Sequence, residues 1–151
     1  MESRLTGLAD DEIFREGINI VREMRIEARK VVFGPELETT IDTLILAILG
    51  SGHVFVRANV GTAKTLACMA VAQTIADARF AKIDFQPDLM PKDLLGYQFF
   101  NRKTGEFETV HGPVLSANIF LANEINRATP KTQAALLAAM EERQVTVHTT
   151  A

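Results

Sequence analysis

The spacing of apolar residues predicts several helices along the chain. The first predicted helix has acidic residues at its start and basic residues at its end, an arrangement that suits the helix dipole. The last begins with Thr129 as its N-cap and Pro130 at its first position. The predicted helices cover residues 10–30, 36–49, 64–78, 90–95 and 130–143.

Extended segments alternate with these helices. Residues 98–110 contain two apolar-aromatic runs around Lys103–Gly105 and predict a hairpin with a glycine turn. The run 118–123 is continuously apolar, so we expect a strand that is buried on both faces. The other predicted extended segments are 53–57, 80–85 and the β-prone run 144–150. The alternation predicts the α/β class with a mostly parallel sheet.

Length, charge and cysteine content narrow the class of protein. A chain of 151 residues predicts one domain, and a net charge of −3 argues against nucleic-acid binding through a bulk positive field. The single cysteine, Cys68, excludes an internal disulfide and is expected to be a small buried residue. Residues Met1–Arg4 do not open a signal peptide, and the apolar run Leu44–Leu49 is too short to span a membrane. We therefore expect a cytoplasmic, soluble protein without a nucleic-acid or membrane partner.

The segment 54–65 has the layout of a phosphate-binding loop. A short apolar strand leads into small residues, then Lys64 and Thr65, then an apolar helix. Lys64 is expected to reach the β and γ phosphates, and the Thr65 hydroxyl to coordinate Mg²⁺. Backbone amides at the helix start would meet the phosphate oxygens. The predicted nucleotide contacts in this segment are Asn59, Val60, Gly61, Thr62, Ala63, Lys64 and Thr65.

The loop departs from the usual pattern at its two end glycines. Ala58 and Ala63 stand at these positions, and Gly61 remains inside the loop. An alanine held in the left-handed region costs about 1–2 kcal/mol, so the loop is expected to bind more weakly. On the loop alone, a plain strand-turn-helix with a solvated lysine remains an equal alternative.

The apolar strand that ends at Asn123 is followed by Glu124. In nucleotide sites of this kind an aspartate holds the water shell of Mg²⁺ and a glutamate polarises the attacking water. Asn123 has the shape of aspartate without its charge, which predicts weaker Mg²⁺ binding and slow turnover. We expect Asn123 at the metal and Glu124 as the catalytic residue; the alternative for Glu124 is a carboxylate that caps the end of a strand.

Several segments together resemble the MoxR family of AAA+ ATPases. The run 120–146 looks like the family's second ATPase motif and the helix that follows it. Residues 85–96 are similar to its segment after the second strand, and 112–114 to its turn before the third. The run 31–34 resembles the loop that packs on adenine, which implies contacts from Val32 and Gly34. In all, the resemblance covers about residues 20–150.

The resemblance implies a P-loop three-layer α-β-α sandwich that binds ATP and Mg²⁺ and forms a ring-shaped homo-oligomer. Such ATPases remodel or mature partner proteins, often with a von Willebrand A-type partner. The predicted hairpin is similar to an insertion that faces the ring pore, with a plain surface hairpin as an equal alternative. Arg127 could face a neighbouring subunit or be a solvated charge. Val60 also replaces the usual proline, so with Ala58 and Asn123 it puts tight binding and hydrolysis in doubt.

Parts of the AAA+ core cannot be assigned in this sequence. The family's fourth strand, which lies between the first and third, its neighbour-reaching arginine and its helical lid have no counterpart in the 151 residues. We expect one partial AAA+ domain over 1–151. Three outcomes are open for the position of the missing fourth strand: the first and third strands pair directly, residues 144–150 take its place, or a stable fold requires additional residues. The functional expectation is an ATP-binding module with weak hydrolysis; the alternative is a non-catalytic scaffold that keeps the fold.

Overall fold

The computed structural model describes residues 10–57 and 63–145. They fall into two units, which we call unit 1 (10–57 and 63–77) and unit 2 (78–145). The prediction of one partial domain over 1–151 stays a prediction.

Unit 1 contains three helices: α1 (Asp10–Arg29), α2 (Pro35–Leu49) and α3 (Lys64–Gln73). The first two match the predicted helices to within one residue at each end. Acidic residues fill the first turn of α1, and a proline begins α2, as dipole and cap preferences require. Apolar side chains from all three helices form one core: Met24, Ala28, Val32, Ile41, Ile45, Ala67, Ala70 and Val71.

Helix α3 ends five residues earlier than the predicted boundary at Ala78. The Thr74 hydroxyl donates a hydrogen bond to the carbonyl of Val71 at 2.7 Å, which closes the last turn. Asp77 then takes a left-handed conformation with φ 59°, which a helix cannot contain. Cys68 on this helix is 6% exposed, as predicted, and burial raises the pKa of its thiol.

The predicted strand at residues 53–57 is wrong. These residues have no regular secondary structure, and Phe55 is 81% exposed. A strand is stable only when its backbone groups pair with a neighbour, and no strand in the described part of the chain pairs with this segment. The apolar composition of 53–57 favours an extended backbone, but it does not provide the neighbouring strand that a β-strand needs.

Unit 2 alternates strands with short helices. Its elements are β1 (Phe80–Asp84), α4 (Pro91–Leu95), β2 (Gly96–Asn101), β3 (Glu106–His111), α5 (Pro113–Ser116), β4 (Ile119–Asn123), a 3-10 helix (Ile125–Arg127) and α6 (Pro130–Glu142). The predicted extended segments and helices from residue 80 to residue 143 are therefore confirmed, with shifts of one to two residues at their ends.

Strands β1 and β4 pair in parallel, in register from Phe80↔Ile119 to Asp84↔Asn123. The pairing continues past the strand ends, where the Phe85 amide donates to the Asn123 carbonyl at 2.8 Å. All five residues of β4 are half-buried, so the expected burial on both faces is wrong. The reason is that β4 has one strand neighbour in the described residues, and a two-stranded sheet leaves part of each strand uncovered. Direct pairing of the predicted first and third strands is likewise not observed.

The predicted hairpin is formed by β2 and β3, which pair antiparallel. Gly105 in its turn has φ 73°, and its amide donates to the carbonyl of Asn101 at 2.8 Å. At the hairpin base, a Cβ added to Gly112 would lie 2.1 Å from the Leu94 carbonyl oxygen. Glycine at this position lets two backbone segments approach closely.

The core of unit 2 is smaller and includes a polar contact. Its fully or nearly buried apolar residues are Phe85, Leu94, Ala128 and Leu136. Thr132 on α6 is also 0% exposed, and its hydroxyl donates to the Leu89 carbonyl at 2.7 Å. Thr129 caps α6, accepting from the Thr132 amide as the sequence predicts. Of the β-prone run 144–150, residues 144–145 have no regular structure and the rest lie outside the described residues.

Candidate functional site

One group of predicted site residues, the phosphate loop with Lys64 and Thr65, belongs to unit 1. Ala58, Asn59, Val60, Gly61 and Thr62 lie outside the described residues, so their predicted contacts stay predictions. The described part begins at Ala63, which has φ 51° and ψ 23° and so occupies the left-handed region. This is the strained conformation that the missing glycine would have adopted without penalty.

Lys64 and Thr65 are the first two residues of α3, and both are half-buried. The first-turn amides of a helix have no partners within the helix and carry its partial positive charge. Both side chains thus lie at the end of the helix that favours an anion.

The two residues suggested as adenine contacts are also in unit 1. Val32 is 3% exposed and belongs to the helical core, so packing alone accounts for its apolar side chain. Gly34 precedes α2 with φ 123°, a conformation that residues with a Cβ rarely adopt. Contacts of either residue with a nucleotide remain a prediction.

Another group of predicted site residues, Asn123 and Glu124, lies in unit 2, where β4 ends. Asn123 is the last residue of β4, and Glu124 follows in a left-handed conformation with φ 57°. The Glu124 carboxylate pairs with the Arg127 guanidinium, Oε2 to Nε 3.4 Å, across one turn of the 3-10 helix. Both side chains are well exposed, 40% and 62%, so this pair is weak and Glu124 can exchange it for another partner.

Asp84 is the last residue of β1 and lies at the same edge of the sheet as Asn123. It is the register partner of Asn123, whose Nδ2 donates to Asp84 Oδ1 at 2.5 Å. The second carboxylate oxygen, Oδ2, lies 3.0 Å from Lys82 Nζ. The hydrogen bond from Asn123, followed by the contact with Lys82, holds the pKa of Asp84 below its ordinary value.

The structure thus brings Asn123 and Glu124 together with Asp84 in unit 2, and Lys64 with Thr65 in unit 1. Sequence reasoning missed Asp84. Two features point to it. The last residue of β1 is an aspartate and that of β4 an asparagine, and the C-terminal ends of paired parallel strands lie at the same edge of a sheet. Such a pairing can be proposed from sequence once both strands are predicted to be parallel neighbours.

The donor atoms present suit Mg²⁺, which takes oxygen ligands in proteins. Thr65 offers a hydroxyl oxygen. Because Nδ2 of Asn123 is committed to Asp84, its Oδ1 is the side-chain atom left to face a cation or its water shell. No group of three or more His, Cys, Asp or Glu side chains within 10–57 and 63–145 could hold a metal ion.

Comparison with known sequences identifies the family of this chain. Residues 53–151 match the sequence profile of the ATPase family associated with various cellular activities (AAA). The chain belongs to this family. The matched residues include the phosphate-loop segment and the Asn123–Glu124 pair of this AAA protein.

Curated relatives place the AAA chain among the MoxR proteins, which confirms the resemblance. It is 38% identical over 121 residues to "Chaperone MoxR1" of Mycobacterium tuberculosis, covering 80% of this chain and 31% of the relative. It is 37% identical over 123 residues to "Protein MoxR" of Methylorubrum extorquens, covering 79% and 35%. The uncharacterised protein YeaC of Bacillus subtilis is 50% identical over 103 residues, covering 68% and 32%. The chain thus spans about a third of the length of these relatives.

A solved structure confirms the fold class. The chain matches the crystal structure of a protein from Cytophaga hutchinsonii assigned as an ATPase, with a TM-score of 0.71 and 40% identity. The match covers 87% of this chain and 39% of that one. Among the residues described, no helix has both the length and the apolar character needed to cross a membrane.

Proposed function

We propose that this chain is the nucleotide-binding part of a MoxR-type AAA+ ATPase, and that it binds ATP or ADP with Mg²⁺ but hydrolyses ATP slowly. The observation that carries the proposal is the start of α3. Lys64 and Thr65 occupy its first turn directly after the predicted phosphate loop, where the positive end of the helix dipole favours phosphate.

The roles of the side chains follow from their chemistry. The Lys64 ammonium would neutralise the β and γ phosphates, and Thr65 and Asn123 would hold Mg²⁺ or its water shell through oxygen atoms. The bound Mg²⁺ would neutralise phosphate charge during transfer. Glu124 would accept a hydrogen bond from the attacking water after it leaves Arg127, since their contact is exposed.

Two features support slow hydrolysis. Asn123 brings no negative charge to the metal, so Mg²⁺ would be held less tightly than by aspartate. Ala63 keeps a left-handed backbone at a cost of about 1–2 kcal/mol.

Isothermal titration of the 151-residue chain with ADP, with and without Mg²⁺, tests nucleotide binding. We expect binding in the micromolar range or weaker, and Lys64→Ala should weaken it by about tenfold or more because a charge-assisted phosphate contact is lost. Lys103→Ala, in the hairpin turn, is the matched control and should bind as the wild type does. Absence of heat in both titrations of the wild-type chain would contradict the proposal.

Hydrolysis is tested separately by release of phosphate from ATP. Glu124→Gln should abolish the slow release and leave ADP affinity within about twofold, because Glu124 acts on water rather than on the nucleotide. Turnover that survives this substitution would remove Glu124 from the catalytic role.

The second candidate function is a scaffold that keeps the AAA+ fold without binding nucleotide. It is favoured by two contacts at the end of β4. Asn123 is hydrogen-bonded to Asp84, and Glu124 is ion-paired with Arg127, so these polar side chains already have partners within the protein. Thermal melting with ATP separates the two functions, because a ligand that binds the native state raises the melting temperature with its occupancy.

Assembly and partners extend the proposal. We infer that the protein acts within a ring-shaped homo-oligomer in the cytoplasm, remodels partner proteins, and works with a von Willebrand A-type protein. The β2–β3 hairpin would face the ring pore. Sedimentation of the chain with and without nucleotide tests assembly; a monomer under both conditions would contradict it for this length of chain.

A further inference from the structure

We propose that Asp84 is a positioning residue of the nucleotide site: it holds the amide nitrogen of Asn123 and so leaves the amide oxygen as the end that can meet Mg²⁺. This inference rests on the proposed nucleotide-binding function. It concerns how a site with asparagine in place of aspartate can offer an oxygen atom to a cation.

The orientation follows from donor and acceptor chemistry. The amide of Asn123 has one donor end and one acceptor end, and an ionised carboxylate can only accept. At the 2.5 Å separation from Asp84 Oδ1, the donor Nδ2 must face β1. Oδ1 of Asn123 is thereby turned away from Asp84, and it is the end that can approach a cation.

The position of Asp84 is fixed on two sides. Its backbone is paired with Asn123 through the β1–β4 register, so the two side chains leave neighbouring strands at the same edge. Its second oxygen is occupied by the Lys82 ammonium at 3.0 Å. Both carboxylate oxygens of Asp84 thus have protein partners, so we assign Asp84 to positioning Asn123 rather than to binding a cation.

This contact changes the expected effect of restoring an aspartate. Asn123→Asp alone would place two carboxylates against each other, and like charges in contact repel. The exchange Asp84→Asn with Asn123→Asp restores a donor opposite an acceptor, with the carboxylate now on β4. We therefore expect Asn123→Asp alone to destabilise the chain, and the double exchange to recover most of the lost stability.

The first measurement is thermal melting of the full chain without ligand. Asn123→Asp should lower the melting temperature by about 4 °C or more, and the exchange should recover most of that loss. Additive effects of the two substitutions would show that the side chains are not coupled and would overturn the inference.

The second measurement is the ratio of the ADP dissociation constants without and with Mg²⁺, by isothermal titration. Asp84→Ala should reduce this ratio by about tenfold, or to one if the wild-type ratio is smaller, as loss of an outer partner of a metal ligand does. Affinity without Mg²⁺ should not change. The exchange should give the largest ratio of the set, above that of Asn123→Asp alone.

Asp88→Ala is the matched control, because Asp88 is an exposed aspartate four residues away, and it should leave the ratio unchanged. Asp84→Asn keeps the side-chain volume if the alanine variant is poorly folded, and its ratio should fall between those of the wild type and Asp84→Ala. A wild-type ratio in both Asp84 variants overturns the inference while the proposed function stands. A wild-type chain that binds no ADP overturns both.

Discussion

Unit 1 and unit 2 stabilise their cores in different ways. In unit 1, a core cluster of eight apolar side chains joins three helices and Val32, and ion pairs such as Arg29–Glu38 at 2.6 Å join α1 to α2 at the surface. In unit 2, four buried apolar residues share the core with Thr132 and with a close backbone contact at Gly112. Stability in unit 1 should therefore depend mainly on apolar area, and in unit 2 on individual polar and backbone contacts.

The same contrast applies to the predicted site residues of each unit. In unit 1, their placement depends on where one helix begins, which is a local property of the chain. In unit 2, it depends on the pairing of two strands 39 residues apart, which brings Asp84 to Asn123. Matched substitutions in the two units therefore test whether the contrast is real.

The largest effect is expected at Gly112. Gly112→Ala places a Cβ 2.1 Å from the Leu94 carbonyl oxygen, so backbone must move, at a cost of about 3 kcal/mol or more. Urea unfolding, with hydrogen exchange followed in each unit, measures the loss and shows whether it is confined to unit 2.

Gly17→Ala in α1 is the control for Gly112→Ala, because no atom lies within 4 Å of its added Cβ. It should stabilise unit 1 by about 0.5–1 kcal/mol through helix propensity. Equal effects at the two glycines would remove the contrast between the units.

Thr132→Val is expected to destabilise unit 2 by about 2 kcal/mol, because the Leu89 carbonyl loses its buried donor. Thr43→Val in α2 is the matched change in unit 1. The Thr43 hydroxyl is exposed and donates to the Thr39 carbonyl within the same helix, so that loss should stay within about 0.5 kcal/mol. Urea unfolding of both variants measures the difference, and similar losses would contradict it.

Ala63→Gly is expected to stabilise the chain by about 0.5–1 kcal/mol, because glycine adopts the left-handed conformation without a Cβ clash. The same substitution at exposed Ala138, within α6, should cost about 1 kcal/mol. Melting temperatures of the two variants should therefore move in opposite directions. A loss at both positions would mean that the strain at Ala63 is small.

The smallest effect is expected at the surface of unit 1. Glu38→Gln removes the ion pair with Arg29, whose side chains are 48% and 34% exposed, and should cost about 0.5 kcal/mol. Glu36→Gln, in the same first turn of α2, controls for the helix dipole. A difference between the two variants above about 1 kcal/mol in urea unfolding would show that ion pairs contribute more to unit 1 than its apolar core implies.

Most of the helices could be predicted from the sequence, because a helix closes its hydrogen bonds within a few residues. The start of α6 at Thr129–Pro130 and the start of α2 at Pro35 are examples in which cap and proline preferences suffice. The hairpin is also local, since its strands are joined by a short turn at Gly105. The family could be identified for the same reason, because its motifs are contiguous runs.

Strand partners and polar neighbours were decided by the tertiary structure. Residues 53–57 have a strand-like sequence but no regular structure, whereas β1 and β4 pair although they lie 39 residues apart. Burial of Thr132 and the contact of Asp84 with Asn123 follow from that packing. Local sequence was enough to predict which segments are helical, because each helix hydrogen bond spans only four residues. Strand pairing and the side-chain contacts that follow from it depend on the folded protein, because a hydrogen bond in a sheet needs a partner strand that local sequence does not specify.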